Sequence, residues 1–205
     1  MAPRDEGPRQ LLQRIRVEPE PTRGSRFIAT AIPVGDEAAA KEALAELRAE
    51  MPDATHHCSA WRLAVPSLER ANDDGEPGGS AGRPILAQLQ GRGVVNAAVI
   101  VTRYYGGTKL GVGGLVRAYG GAAAAVLDAA LTEPYVPRRA LRIVHGYPDA
   151  DVVERLLAES NVGQVTVDYG TDVRRVVEVA VDRIGALEDA LRDATRGRAS
   201  VQHLD

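Results

Sequence analysis

From Pro77 to Leu127 the chain carries no aspartate or glutamate, yet it holds Arg83, Arg92, Arg103, Lys109, Arg117 and most of its 21 glycines. Cations without an internal counter-charge, set among loops that leave backbone N–H groups exposed, are the ingredients of an anion-binding surface. A phosphate-bearing ligand is the chemistry this stretch points to. At its centre Gly106, Gly107, Thr108, Lys109, Leu110, Gly111, Val112, Gly113 and Gly114 separate a valine-rich strand from a long helix. Small residues let backbone amides converge on an oxyanion, and the helix adds roughly half a positive charge at its N-terminus. Lys109 and Arg117 can reach the same ligand. The pattern is not a Walker loop, because Gly111 is followed by Val112 and Gly113 rather than by Lys and Ser or Thr. The same glycines equally serve tight turns and close helix-to-sheet packing.

Three further groups could carry chemistry. Tyr104 and Tyr105 follow Arg103 at the end of the strand, and alternation sends them to opposite faces, so at most one enters the core. The other can stack on a base, worth about 1–3 kcal/mol in single-strand binders, or tie down the glycine loop through its hydroxyl. Asp73, Asp74 and Glu76 form an acidic loop that could hold a hard cation or supply a base, or could pair with the unopposed arginines. In that last case the cationic site is neutralised. His56, His57 and Cys58 lie on one strand, where only His56 and Cys58 share a face; two more ligands would be needed for a metal. No metal, cofactor or catalytic set is assigned.

These groups need elements to position them. Ser25 to Val34 alternates as a strand, Asp36 caps a helix with Ala40, Ala43, Leu44 and Leu47 on one face, and His57 to Val65 is a second strand. Pro66 to Gly82 reads as loop, with Ser80 capping a short helix from Pro84 to Leu89. Val94 to Val101 is a buried strand, and Leu115 to Leu131 the helix after the glycine loop. Pro134 and Pro137 mark a domain edge. Beyond it come a strand, a helix, two strands, a helix and a strand, which is the βαββαβ pattern of ferredoxin-like domains. The expected organisation is α+β: an N-terminal extension over 1–24, a first domain over 25–137 and a second over 138–205.

At 205 residues and 44% hydrophobic composition the chain can build compact cores, and its net charge is -3. No apolar run approaches the roughly 20 residues that cross a bilayer, and Met1 to Glu20 is too polar and proline-broken for a secretory signal. The single cysteine, Cys58, excludes an intrachain disulfide. A cytoplasmic protein without a membrane partner is expected.

Four blocks together resemble a known family: SRF at Ser25 to Phe27, HHC at His56 to Cys58, DDGEPGGSAGRP at Asp73 to Pro84, and RYYGGTKLGVGGLVRAYGG at Arg103 to Gly121. They are similar to the YigZ and Impact family over Ser25 to Leu131, and the C-terminal part resembles the small second domain of bacterial YigZ-like members in pattern and position. The resemblance implies a first domain with the fold of domain 2 of small-subunit ribosomal protein five, shared with a class of small-molecule kinases. It implies a second domain like domain V of elongation factor G. Eukaryotic members resemble regulators of translation initiation.

The leading expectation is therefore a protein that binds RNA, the ribosome or translation factors. Arg83, Arg103, Lys109 and Arg117 would contact phosphates, Tyr104 or Tyr105 would stack, and the amides of Gly106, Gly107, Gly113 and Gly114 would hold a phosphate oxygen. A rival is an enzyme on a nucleotide or phosphometabolite, with Asp73, Asp74 or Glu76 binding magnesium or acting as base. A protein-only interaction module is the third reading.

Overall fold

The computed structural model describes residues 7–204; the first six residues of the expected N-terminal extension lie outside the described residues. The chain divides into two compact units, Met1–Tyr135 and Val136–Asp205.

The first unit is built on a five-stranded antiparallel sheet of β2 (Ile15–Val17), β3 (Arg26–Pro33), β6 (Ala97–Tyr104), β4 (His56–Leu63) and β5 (Leu68–Asn72), in that spatial order. Helix α1 (Glu37–Glu50) covers one face, packing Ala40, Leu44 and Leu47 against Ile28, Trp61, Leu63, Ala98 and Ile100. Asp36 caps it, its carboxylate accepting from Ala39 N at 2.8 Å. Helices α2 (Gly82–Gly91) and α3 (Val112–Asp128) cover the other face over Phe27, Ala29, Cys58, Ala60, Val99 and Val101. Alternation along each strand thus feeds two cores.

Two short strands sit where the sequence reads only an extension. β2 pairs with β3, and β1 (Arg9–Leu11) pairs with β7 (Thr132–Pro134). Arg9 anchors that second ladder, its Nε donating to Thr132 Oγ1 at 2.9 Å. β5 likewise occupies part of the expected loop from Pro66 to Gly82. The valine-rich strand lies three residues further along than its hydrophobic run suggests, because Tyr104 pairs with Arg26 and extends the ladder past Val101.

The second unit is an α+β sandwich of ferredoxin-like βαββαβ order. β8 (Arg138–His145), α4 (Ala150–Glu159), β9 (Gly163–Tyr169), β10 (Val173–Ala180), α5 (Ile184–Thr195) and β11 (Ser200–His203) form an antiparallel sheet ordered β11-β8-β10-β9. The helices bury one sheet face, closing Leu141, Ile143, Val177 and Val179 against Val153, Leu157, Leu187 and Leu191. Among the described residues of this unit, no helix packs on the opposite face.

Helix α2 corrects one local expectation. Its N-terminus is not capped by Ser80, whose buried hydroxyl has no partner among the described residues. The Asp73 carboxylate does that work from across the loop: Oδ2 accepts from Gly79 N at 2.7 Å, and Oδ1 from Ala81 N at 2.9 Å and Gly82 N at 2.8 Å. Burial pushes this carboxyl up, but the three amides outweigh it and hold it below the ordinary range. The stabilisation is therefore present above the unfolded value of about 3.9 and is lost as pH falls through the lowered folded value. Asp73→Ala is expected to lower the unfolding free energy by about 1–3 kcal/mol at pH 7, with Asp73→Asn losing less. Urea denaturation measures both, and below about pH 3 the difference between wild type and Asp73→Ala should shrink.

Candidate functional site

The site grows from the end of β6. Strand alternation turns Arg103 to the face covered by α2 and α3, where it is 4% exposed. Its Nη1 donates to Glu76 Oε1 at 2.5 Å and its Nη2 to Ser25 Oγ at 3.2 Å. The guanidinium carbon lies 5.6 Å from the Phe27 ring centre and 5.4 Å from that of Tyr105. The Tyr119 hydroxyl donates to the same Glu76 oxygen at 2.7 Å. Both ion-pair side chains are 5% exposed. Arg103 is thus no surface phosphate contact: it is buried and neutralised, because the acidic loop folds back over it.

The other two carboxylates of that loop are also engaged. Asp73 holds the amides before α2, and Asp74 accepts from Arg48 Nη2 at 2.5 Å and from the His57 backbone N–H at 2.6 Å. Magnesium binding or base catalysis by Asp73, Asp74 or Glu76 would have to break these bonds. The adjacent histidines have separate structural roles. His56 Nδ1 donates to the Asp74 carbonyl at 2.7 Å, leaving Nε2 3.9 Å from Glu76 Oε1. His57 Nε2 donates to the Met51 carbonyl at 3.2 Å, so its Nδ1 accepts from Thr102 Oγ1 at 3.1 Å, and burial pushes the ring's pKa down. Cys58 is fully buried and donates to the Asp73 carbonyl at 3.1 Å; burial pushes the thiol up to about 12. Among the described residues no group of three His, Cys, Asp or Glu side chains is placed to hold a metal ion.

The tyrosines part as alternation requires. Tyr104 goes toward the α1 side, its hydroxyl donating to Asp53 Oδ1 at 3.2 Å under the Arg26 guanidinium. It is not free to stack. Tyr105 is 46% exposed, with the Arg103 guanidinium behind its ring.

The glycines divide too. Gly106 donates its N–H to Ser25 Oγ at 3.2 Å, and a Cβ there would lie 2.0 Å from the Gly24 carbonyl carbon. Its amide is therefore committed, and its lack of a side chain serves backbone packing. Gly107 is exposed at φ +83 with open space around it. Gly111 is the N-cap of α3 and supplies no side-chain hydrogen bond. The first turn of α3, Val112, Gly113 and Gly114, contains no acid and receives no capping side chain, so neither offsets its orphan N–H groups and the helix dipole.

Of the five cations in the acid-free stretch, Arg92 pairs with Asp128 at 2.7 Å and Arg103 with Glu76. Arg83, Lys109 and Arg117 are exposed and form no ion pair among the described residues. Arg83 stands over the acidic loop, its Cδ 3.6 Å from a Cβ built on Gly79, and helps hold the Asp73 carboxyl down. Lys109 lies two residues before the α3 N-cap. Arg117 reaches back along its helix, Nη1 lying 3.6 Å from a Cβ built on Gly113. It lines a recess of about 180 Å³ with Thr22, Arg23, Leu110, Gly114 and Ala118. Arg23 was not singled out by the sequence. It precedes the acid-free stretch by more than fifty residues, and only its place in the TRGS turn, at φ +48, marks it.

Fold and site together define a class: a two-unit α+β protein whose first unit exposes an uncapped, acid-free helix start and whose second is ferredoxin-like. Residues 23–127 match the Impact N-terminal domain and residues 143–198 a domain of unknown function, DUF1949. The chain belongs to the IMPACT family. It is 37% identical over 181 residues to the IMPACT family member YigZ of Escherichia coli (strain K12), covering 87% of this chain and 89% of the relative. To YvyE of Bacillus subtilis (strain 168) it is 34% identical over 182 residues, covering 87% and 82%. A solved crystal structure of a hypothetical protein superposes with a TM-score of 0.75 at 34% identity, covering 98% of both chains.

The buried pair makes an unequal demand on its two partners. Glu76→Ala leaves a buried guanidinium without its counter-charge and is expected to destabilise the protein by about 3–5 kcal/mol, whereas Glu76→Gln retains an acceptor and loses less. Chemical denaturation gives both values. Cys58 should resist iodoacetamide at pH 8 in the folded protein and react once the chain is unfolded in guanidinium; rapid labelling of the native state would contradict the raised thiol pKa.

Proposed function

We propose that the protein binds phosphate on RNA or on the translation apparatus through the start of α3, and acts in the cytoplasm as a regulator of translation. The observation that carries this reading is electrostatic. Arg117 folds back onto a helix N-terminus that has neither a capping side chain nor an acid in its first turn. Two sources of positive potential are thereby held together where a cation is ordinarily unfavourable, and Arg23 faces the same recess. An anion relieves that repulsion and takes the free N–H groups of Gly113 and Gly114. Lys109 extends the patch toward Gly107, and Tyr105 offers an exposed ring for a base.

The placement of the carboxylates weighs against the rival enzyme on a nucleotide or phosphometabolite, since Asp73, Asp74 and Glu76 are spent on amides, Arg48 and Arg103. No helix among the described residues is long and apolar enough to cross a membrane.

Fluorescence anisotropy with labelled single-stranded RNA, duplex RNA and DNA across a salt series tests the reading. Each neutralised phosphate contributes about 0.7 to the slope of log affinity against log salt for single strands. Lys109→Ala with Arg117→Ala should weaken binding about tenfold at low salt and flatten the slope by about 1 to 1.5, whereas Arg83→Ala should change little. Absence of salt-dependent binding by the wild type would overturn it.

A further inference from the structure

The helix-free face of the second unit's sheet carries a separate pattern. The central strands β8 and β10 place Arg142 opposite Val176 and Val144 opposite Arg174, so the two arginines lie diagonally across one face. Such diagonal neighbours stand about 7–8 Å apart at the backbone, and like charges that close are unfavourable unless something compensates them. Both are exposed, and neither forms an ion pair or side-chain hydrogen bond among the described residues. The contrast with the covered face is direct: there Arg175, 3% exposed, bonds His145 and Glu154.

Around the two arginines lies a shallow recess of about 640 Å³, floored by Val144 and Val176 and rimmed by Thr166, Asp168, Ser200 and Gln202. The Thr166 and Ser200 hydroxyls and the Gln202 amide make no side-chain hydrogen bond among the described residues. Asp168 is in register with Arg174 yet forms no ion pair with it. The second half of the chain holds slightly more carboxylates than cations, so an excess of cations on this face is local.

We infer that this face is a second binding surface, for single-stranded RNA, with Arg142 and Arg174 on successive backbone phosphates. The two arginines stand on separate, adjacent strands, an arrangement that suits two successive phosphates of one chain. The valine floor takes sugar and base surface, and the rim supplies donors and acceptors for base edges. The inference shares its ligand class with the proposed function but uses different residues in a different unit.

The test is anisotropy of a fluorescein-labelled 12-nucleotide oligouridylate with full-length protein. Arg142→Ala with Arg174→Ala should weaken binding about tenfold at low salt and reduce the salt slope by about 1.4. Asp168→Asn, which removes the carboxylate from the recess, should tighten binding. All three side chains are exposed, and circular dichroism melts verify that the variants fold. Wild-type affinity and slope in the double variant would overturn the inference, as would full displacement of the RNA by millimolar pyrophosphate, which marks a small-anion site. Comparison with Lys109→Ala/Arg117→Ala separates the two readings. A loss confined to the α3 variant leaves the proposed function standing and removes this one, and a loss confined to the sheet variant does the reverse.

Discussion

A buried guanidinium must have a counter-charge within hydrogen-bonding distance, and the first unit is organised around that requirement at Arg103. Glu76 meets it, held also by the Tyr119 hydroxyl from α3. The pair therefore joins three pieces of chain: the end of β6, the acidic loop and the middle of α3. Once Glu76 is drawn inward, Asp73 is brought to the amides before α2 and Asp74 to Arg48 and the His57 amide. Burial, with Cys58 and Glu76 beside it, keeps the Tyr119 phenol protonated far above its ordinary range, so it serves as a fixed donor. The network is internal, satisfied apart from Arg103 Nε, and directed at holding the loop down.

The same geometry decides what remains available outside. Closing the loop over Arg103 removes the strand-end cation from the surface, and Asp128 removes Arg92. Apart from Arg83, which stands over the acidic loop, what is left lies at the start of α3, where no acid sits in the first turn and Arg117 forms no ion pair among the described residues. Gly106 belongs to the scaffold rather than to the ligand site, because its backbone lies against Gly24 and its amide against Ser25. One glycine-rich segment therefore performs two tasks, tight packing at its beginning and anion exposure at its end.

How far this could be read from the chain depended on whether the signal was local. The capped α1 and the βαββαβ order of the second unit follow from periodicity and cap residues, which are local properties. β1, β2 and β7 have three residues each, too short to show a period, and exist because a partner strand is present. β5 is a polar edge strand, LERAN, whose composition resembles a loop. In the site, Arg103 and Lys109 look alike in one dimension. Only the three-dimensional return of Glu76 separates the structural cation from the exposed ones, and the possibility that the acidic loop neutralises the arginines was visible only as an alternative. Arg23 was missed because its proximity to Arg117 is a matter of tertiary packing.

The chain's net charge of -3 constrains how it can hold a polyanion at all. The net charge supplies no attraction to a polyanion, and at physiological salt each charge acts over a screening length of about 8 Å. Attraction must then come from places where cations are held close together and kept away from carboxylates. Both units pair their buried arginines, Arg103 with Glu76 and Arg175 with Glu154, and both leave a few exposed ones without an ion pair among the described residues. Repulsion among those remaining cations is a small loss for the unliganded fold and a direct gain on binding phosphate. An acidic protein can in this way bind an acidic polymer, with an affinity set by local geometry and sharply dependent on salt.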